Sequence, residues 1–173
     1  MYKLLKEDYL YEIKHTIMEQ EIILNEHNKQ EYPPMHTAEH ILNRTMVNMF
    51  GCNRSHNAHI ERKKSKCDYY LPECPTAEQM QAVEDKVNEV IKQHLDVAER
   101  FVKREEVDPK EVDLNKLPQG VSDTLRLVYV GDYDVCACVG THVKNTAEIG
   151  TFKIISHDYN EGVLRIRFKL VAE

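Results

Sequence analysis

The sequence predicts an α+β fold in which helices pack on a mostly antiparallel sheet. Two stretches, 37–50 and 76–95, repeat apolar residues at the spacing of an amphipathic helix. Two turn signals, Gly131-Asp132 and 160–162, each join two segments rich in strand-forming residues. A chain of 173 residues is long enough to bury a hydrophobic core around these elements. We therefore expect one principal α+β domain.

The chain begins with a segment, 1–32, whose structure the sequence leaves open. Tyr9, Tyr11 and Ile13 alternate with polar residues, as in a half-buried strand. A helix is the rival interpretation, because Gly and Pro are absent from this segment. We expect a hairpin-like or helical lead-in over 1–32, followed by the α+β domain over 33–173.

The first predicted helix carries a pair of histidines. Its apolar spacing predicts a helix over 37–50, preceded by the turn-forming pair Pro33-Pro34, and Gly51 marks the end. His36 and His40 then lie in the first turns, four residues apart. Residues at this spacing lie about 5–6 Å apart on one helix face, so both imidazoles can bind one metal ion.

Between the two helices lies a segment, 52–75, that is rich in His, Asn and Ser. It contains the densest positive cluster in the chain and ends in a predicted strand over 67–71. Thr76 then opens the second helix, where Gln79 three residues later completes a capping box. The positive cluster consists of Arg62, Lys63, Lys64 and Lys66.

The remaining chain is predicted to consist mainly of strands. A polar connection over 105–120 separates the first of these strands from the others. The last strand alternates cleanly, with apolar side chains on one face and a partly cationic second face that includes Arg165 and Arg167. The predicted strands are 97–104, 125–130, 133–139, 152–156 and 163–170.

The end of one predicted strand supplies a second candidate pair of metal ligands. Cys138 and His142 are also four residues apart, and Gly140 between them permits a tight bend. With His36 and His40 they would form a set of three imidazoles and one thiolate, which suits zinc. Spacing alone leaves rival ligands open, although solvent-facing His and core Cys are the favoured interpretation for them. These rivals are Cys52, His56, His59, Cys67 and Cys74.

Composition restricts the classes of function. A formal charge of −6 argues against a generally basic nucleic-acid-binding surface, although a local patch can still bind phosphate. No run of residues is long and apolar enough to span a bilayer, and the charged N-terminus does not resemble a signal peptide. The five cysteines lack the spacing of a disulfide framework. We expect a cytoplasmic protein with reduced thiols and with neither a membrane nor DNA as its partner; its oligomeric state is left open.

The two ligand pairs resemble the paired zinc motifs of a known family. The stretches 36–42 (HTAEHIL) and 138–143 (CVGTHV) are similar to those of the editing domain of alanyl-tRNA synthetases and of the free-standing AlaX trans-editing proteins. The resemblance extends in order from about 34 to 168. Gly140-Thr141 before the second histidine favours the alanyl over the threonyl sub-family.

This resemblance implies an editing-domain-like α+β fold that holds one zinc ion. Its implied activity is hydrolysis of the ester that joins Ser or Gly to the 3′ end of tRNA(Ala), carried out in trans by an aminoacyl-tRNA deacylase. An active site built for alanine rejects these amino acids by only about 1–3 kcal/mol, so a second, hydrolytic sieve is needed. The implied partner is mischarged tRNA(Ala), and the implied zinc ligands are His36, His40, Cys138 and His142.

The resemblance and the charge pattern also indicate candidate substrate contacts. Thr141 lies where its hydroxyl could shape the amino-acid pocket. His56 falls near a position where the family usually has Gln, which makes it a candidate catalytic residue. His56, His59 and Asp68 are also candidate general bases, although a metal-activated water needs none of them. The candidate phosphate contacts are Arg62, Lys63, Lys64, Lys66, Arg165 and Arg167.

Two other functions remain open at this point. A closed four-ligand zinc would favour a non-catalytic, zinc-stabilised module that binds tRNA or protein. The acidic net charge and the segment 53–59, which lacks the Gln followed by Gly-Ser that is usual in the family, would favour a metal-dependent hydrolase of another small ester or amide. Salt-dependent tRNA binding separates this last function from the other two, and turnover of mischarged tRNA separates the deacylase from the binding module.

Overall fold

The computed structural model of the chain describes residues 32–117, 120 and 123–172. Apart from Tyr32, the predicted lead-in over 1–32 lies outside these residues, so its structure and the domain boundary remain predictions. Three short 3₁₀ helices occupy Arg104–Glu106, Leu114–Lys116 and Thr146–Glu148. The helices are α1 (Pro33–Phe50) and α2 (Ala77–Ile91), and the strands are β1 (Asn57–His59), β2 (Ser65–Tyr70), β3 (Val97–Lys103), β4 (Thr124–Val130), β5 (Asp134–Ala137), β6 (Thr151–Asn160) and β7 (Val163–Val171).

The described strands form two antiparallel sheets. One has the order β1-β2-β7-β6 and the other the order β3-β4-β5. Helix α1 packs against α2 and contacts β4 and β5, while α2 packs on β6. The prediction of an α+β fold with helices on a mostly antiparallel sheet is confirmed.

Helix α1 begins at Pro33, four residues before the predicted start. The sequence prediction treated the two prolines as a turn, but the first helical turn accepts proline because its backbone N–H groups have no partner within the helix. Gly51 ends the helix in a left-handed conformation with φ 64° and donates its N–H to the carbonyl of Val47. The early start places His36 inside the helix instead of at its edge.

Helix α2 confirms the predicted capping box: Thr76 and Gln79 each accept a hydrogen bond from the other residue's backbone N–H. The helix ends at Ile91 instead of 95, and His94 follows with a positive φ of 51°. Its apolar face is buried in the main core, between α1 and the first sheet. The largest fully buried side chains of this core include Tyr69, Phe152, Phe168, Met35, Ile41, Leu42 and Met46.

The strand predictions differ from the structure mainly at their ends. β6 runs to Asn160, four residues beyond the predicted end, because it pairs with β7 up to the turn. β5 stops at Ala137, so Cys138 follows the strand and opens a loop. The predicted alternation of β7 is confirmed, since Leu164 and Ile166 are fully buried while Arg165 lies between them on the opposite face.

Within the described part of the chain, no helix combines the length and the hydropathy that crossing a bilayer requires.

Candidate metal centre

Helix α1 and the loop after β5 bring the two predicted ligand pairs together. His36 and His40 lie on one face of the helix with ring centroids 5.1 Å apart. The His142 ring stacks on His36 at 4.1 Å and meets His40 at 4.5 Å. One donor atom from each of these histidines and the Cys138 sulfur all lie within 4.8 Å of one another. Over the residues that the structure describes, this is the one group of three or more His, Cys, Asp or Glu residues found to be arranged for a metal ion.

The loop is fixed by Arg126 from β4. Its guanidinium donates to the carbonyls of Cys138 at 3.1 Å and Gly140 at 2.5 Å. It also pairs with the carboxylate of Glu99 on β3. The backbone carbonyl of Arg126 accepts from the N–H of Cys138 at 3.0 Å. Arg126 therefore holds the loop from both sides and sets the position of the cysteine relative to α1.

The Nδ1 atoms of His36 and His142 are hydrogen-bonded away from the cluster, and that of His40 faces a carboxylate without forming a hydrogen bond. Nδ1 of His36 lies 3.1 Å from the carbonyl of Thr141, and Nδ1 of His40 lies 3.5 Å from Oδ2 of Asp134. Nδ1 of His142 lies 3.0 Å from the hydroxyl of Thr37. This pattern leaves the three Nε2 atoms for the cluster, as second-sphere partners do in metal sites.

The Thr37 hydroxyl determines the tautomer of His142. It donates its one hydrogen to the carbonyl of Pro33 at 3.0 Å and accepts from the N–H of Val143 at 3.2 Å. It must therefore accept from Nδ1–H of His142, which leaves Nε2 with a free lone pair. That Nε2 atom is buried without a hydrogen-bond partner. A buried acceptor with no donor is unfavourable unless a metal occupies the position it faces, so the residues fit such an ion.

The donor set of three nitrogens and one sulfur is compatible with zinc. Burial opposes ionisation of the Cys138 thiol, but its contacts with His142, His36 and His40 lower its pKa to about 2. Burial, reinforced by the charges of His40 and His36, lowers the pKa of His142 to about 4 despite its contact with the thiol. The cluster therefore favours a thiolate beside a neutral His142 imidazole, which are the forms that bind a metal.

Asp134 anchors the buried side of the cluster. Its side chain is fully buried at the start of β5 and accepts from Arg44 at 2.9 Å and from Arg54 at 2.7 and 3.1 Å. Although burial alone would raise it, the contacts with His40 and Arg54 hold the pKa of this carboxyl well below its usual range. A carboxylate behind an imidazole orients the ring and increases its basicity as a ligand.

Comparison with known proteins places this arrangement in a family. Residues 125–167 match the model of the threonyl and alanyl tRNA synthetase second additional domain. An alanine–tRNA ligase from Oceanobacillus iheyensis is 34% identical over 128 residues, which cover 69% of this chain and 14% of the ligase. The ligase from Aeropyrum pernix is 34% identical over 138 residues, which cover 77% of this chain and 15% of the ligase. The ligase from Ligilactobacillus salivarius is 36% identical over 143 residues, which cover 81% of this chain and 16% of the ligase. The chain is an AlaX-like relative of the alanyl-tRNA synthetase editing domain. It spans about one seventh of the length of these curated relatives, and the relationship supports a tRNA-related editing role.

The rival metal ligands do not join the centre of this AlaX-like protein. The His56 ring stacks on Tyr70 with centroids 3.9 Å apart, and His59 pairs with Glu61 at 2.7 Å. Cys67 is fully buried in the main core, and Cys74 is exposed. Cys52 lies beyond the end of α1, where its thiol faces the carbonyl of Met46.

The candidate catalytic residues Thr141 and His56 have different surroundings. Thr141 is exposed in the loop between Cys138 and His142, and its carbonyl contacts His36. His56 is exposed at the edge of the first sheet, where its backbone N–H donates to the carbonyl of Asp68. Asp68 is a poor general base near neutral pH, because hydrogen bonds from Arg165 lower its pKa to about 2.

Some of the candidate phosphate contacts pair with carboxylates of the protein, whereas others are exposed. Arg165 donates to Asp68 at 2.7 Å, and Arg167 pairs with Asp158. Lys66 also reaches Asp68, at 3.3 Å. Three others lie in the connection between β1 and β2: Arg62, whose guanidinium lies 5.0 Å from the Tyr32 ring centroid, and the exposed Lys63 and Lys64.

Several residues that organise the centre were missed in the sequence. Thr37, Asp134 and Arg126 act on ligands that are distant in the chain, so no local spacing reveals them. Asp134 offered the one usable signal, since it is a charged residue within an otherwise apolar predicted strand. A buried carboxylate in a strand needs a cationic or hydrogen-bonding partner, which predicts a network there.

Proposed function

We propose that this protein hydrolyses the ester of seryl- or glycyl-tRNA(Ala) in trans and depends on zinc for this activity. The observation that carries the proposal is the cluster of three imidazoles and one thiol, with a buried Nε2 of His142 that has no hydrogen-bond partner. The relationship to alanine–tRNA ligases supports an aminoacyl ester as the substrate of this centre. His36 is 15% exposed and Cys138 and His142 are partly buried, so a substrate can approach from the surface.

The reaction adds one water molecule across the ester bond and releases a free amino acid and the 3′-hydroxyl of the tRNA. Zinc, when bound, supplies a Lewis acid for the ester carbonyl or for water. The chain's own part is to hold that ion through His36, His40, Cys138 and His142 and to keep each ring oriented through its Nδ1 partner. Thr141, exposed beside His36, is proposed to contact the amino-acid side chain.

The tRNA is proposed to approach along the basic connection between β1 and β2. Lys63 and Lys64 are exposed, and the same sheet presents Arg165 and Arg167 on its outer face. These arginines already pair with carboxylates, so we expect the lysines, with Arg62 and Lys66, to contribute more to phosphate binding. His56, stacked on Tyr70, is proposed to contact the acceptor end by stacking. A cytoplasmic location remains part of the proposal.

The testing experiment measures release of Ser, Gly and Ala from tRNA(Ala) charged with each amino acid. We expect the zinc-loaded protein to release Ser or Gly much faster than Ala, and a Cys138→Ala, His142→Ala double variant to release none. Circular dichroism of the variant separates lost chemistry from lost folding. Failure of the folded, zinc-loaded protein to release any amino acid would refute the proposal.

A second function is favoured by one observation. Four protein donors complete the tetrahedron that structural zinc sites use, which suits a non-catalytic module that binds tRNA. Such a module would bind tRNA(Ala) with the salt dependence of phosphate contacts but release no amino acid. The same charged tRNAs therefore separate the two functions.

A further inference from the structure

Glu39 lies between the two histidines of α1 and faces the metal centre. Its carboxylate oxygen Oε2 lies 4.0 Å from Nε2 of His36 and 4.0 Å from Nε2 of His40. The side chain is only 13% exposed. The carboxylate thus stands beside the two nitrogens that the proposed metal would bind, on the flank of the centre formed by the helix.

Asn43 fixes this carboxylate in place. Its amide Nδ2 donates to Oε1 of Glu39, one helical turn earlier. Asn43 is itself buried, and its Oδ1 accepts from the backbone N–H of Ser55 at 2.8 Å. One carboxylate oxygen is therefore engaged, while Oε2 remains directed at the flank of the centre.

Glu39, which is partly buried, differs from the buried carboxylates Asp68 and Asp134 in its cationic partners. Asp134 and Asp68 each pair with an arginine. In the part of the chain that the structure describes, the basic nitrogens within 4.0 Å of Glu39 belong to His36 and His40. Imidazoles whose Nε2 atoms bind a metal are neutral, so the positive charge near Glu39 in the loaded centre is that of the ion and, through its electrostatic interaction, that of Arg54. An N–H donor on a substrate cation would add to Oε2 a directed hydrogen bond that the ion does not supply.

The proposed substrate carries such a cation. An aminoacyl ester has a free α-ammonium group on the carbon next to its ester carbonyl. We infer that Glu39 binds this α-ammonium and thereby selects esters of free amino acids over N-acylated esters, such as those of a peptidyl or formylated aminoacyl group. A charge-assisted hydrogen bond in a mostly buried position gives both affinity and orientation to the carbonyl. This inference rests on the proposed function.

The test compares Glu39→Gln with the unaltered protein on two substrates, seryl-tRNA(Ala) and N-acetylseryl-tRNA(Ala). Gln keeps an oxygen that can accept from Asn43 but removes the charge. We expect kcat/KM for the free amino ester to fall about 10- to 100-fold, as loss of a charge-assisted hydrogen bond predicts, and kcat/KM for the N-acetylated ester to stay unchanged. Glu78→Gln, at an exposed position in the first turn of α2, removes the same charge elsewhere and should change neither value.

A binding measurement covers the case in which N-acetylseryl-tRNA is hydrolysed too slowly. Its probes are the non-hydrolysable amide analogue of 3′-seryl adenosine and the N-acetylated form of that analogue. Calorimetry should show that Glu39→Gln weakens binding of the free amine about tenfold or more and leaves the acetylated analogue unaffected. Zinc affinity of the variant should equal that of the unaltered protein.

Each alternative outcome has a distinct meaning. An equal loss on both substrates, or a weakened zinc affinity in Glu39→Gln, would overturn the inference in favour of a role toward water or metal. Unchanged kinetics and binding would also overturn it. Absence of hydrolysis by the unaltered protein on every charged tRNA would instead refute the proposed function, and the analogue binding would still decide the role of Glu39.

Discussion

Asp134 and Asp68 are both buried carboxylates held by arginine, yet they stabilise different parts of the molecule. Asp134 accepts from Arg44 and Arg54 and stands 3.5 Å from Nδ1 of His40. Asp68 accepts two hydrogen bonds from Arg165 at 2.7 Å and joins β2 to β7. In each case the pKa of the carboxyl is lowered. The same ion-pair chemistry therefore orients a metal ligand in one region and joins two strands in the other.

The largest expected effect comes from breaking the pair at the metal centre. Asp134→Asn leaves the partly buried guanidinium groups of Arg44 and Arg54 without an anion, and breaking such a buried pair costs about 3–5 kcal/mol of the free energy of unfolding. Loss of the partner of His40 should also weaken zinc binding about 10- to 100-fold. Urea denaturation and chelator competition measure the two effects. Unchanged zinc affinity in the folded variant would contradict a role of Asp134 in the centre.

The matched change on the sheet should affect stability alone. Asp68→Asn removes the negative charge and one of the two oxygens that accept from Arg165, and hydrogen bonds to charged groups contribute about 1.5–3 kcal/mol. The side chain contacts neither the ligands nor their Nδ1 partners, so zinc affinity should not change. Zinc binding weakened as much as in Asp134→Asn would show that the two regions are coupled.

The pH dependence of stability tests the contribution of Asp68. The folded-state pKa of Asp68, about 2, lies below the ordinary value of 3.8, so the ionised carboxylate contributes stability at pH above about 4. That contribution is lost as the pH falls through the folded value near 2. Because its partner Arg165 is 36% exposed, we expect this contribution to amount to about 1 kcal/mol after solvent screening. Urea titrations of the metal-free protein between pH 5 and 2 should therefore show a shallower loss of stability in Asp68→Asn, and parallel curves would contradict the assignment.

The smaller of the two expected losses of zinc affinity comes from Thr37, whose hydroxyl accepts a hydrogen bond from Nδ1–H of His142. Thr37→Val should weaken zinc binding about tenfold, as loss of a second-sphere partner does. Thr45→Val is the matched control, since this buried hydroxyl on the same helix bonds to Ile41 and Tyr133 and not to a ligand. Both variants should lose about 1 kcal/mol of stability. Equal zinc affinities would contradict the role of Thr37.

The sequence predicted the parts of the site that depend on local geometry. The two His on one helix face and the alternation of β7 follow from the periods of helix and strand, and both are found in the structure. The meeting of His36 with Cys138 across 102 positions came from the family resemblance, because spacing within one pair carries no information about the other. The start of α1 was predicted late because Pro33 also suits a turn.

The residues that orient the ligands could not be predicted in this way. Thr37 meets His142 across 105 positions and Arg44 meets Asp134 across 90, and neither pair has a recurring spacing. Burial of a hydroxyl or a carboxylate requires a partner, but the sequence does not say which residue supplies it. His56 was predicted as a candidate catalytic residue from its position in the family pattern, and in the structure its ring stacks on Tyr70. Its catalytic role remains a prediction.

The metal centre is tested most directly by a metal titration of the unaltered protein and two cysteine variants. Cobalt(II) is added to metal-free protein, and thiolate-to-cobalt absorption and bound metal per chain are measured. We predict one metal ion per chain with a thiolate band in the unaltered protein and in Cys74→Ser, whose thiol is exposed away from the centre. Cys138→Ser should lose the band and most of the affinity. A Cys138→Ser protein that binds cobalt with the same band, or an unaltered protein that binds none, would contradict the metal centre on which the proposed function depends.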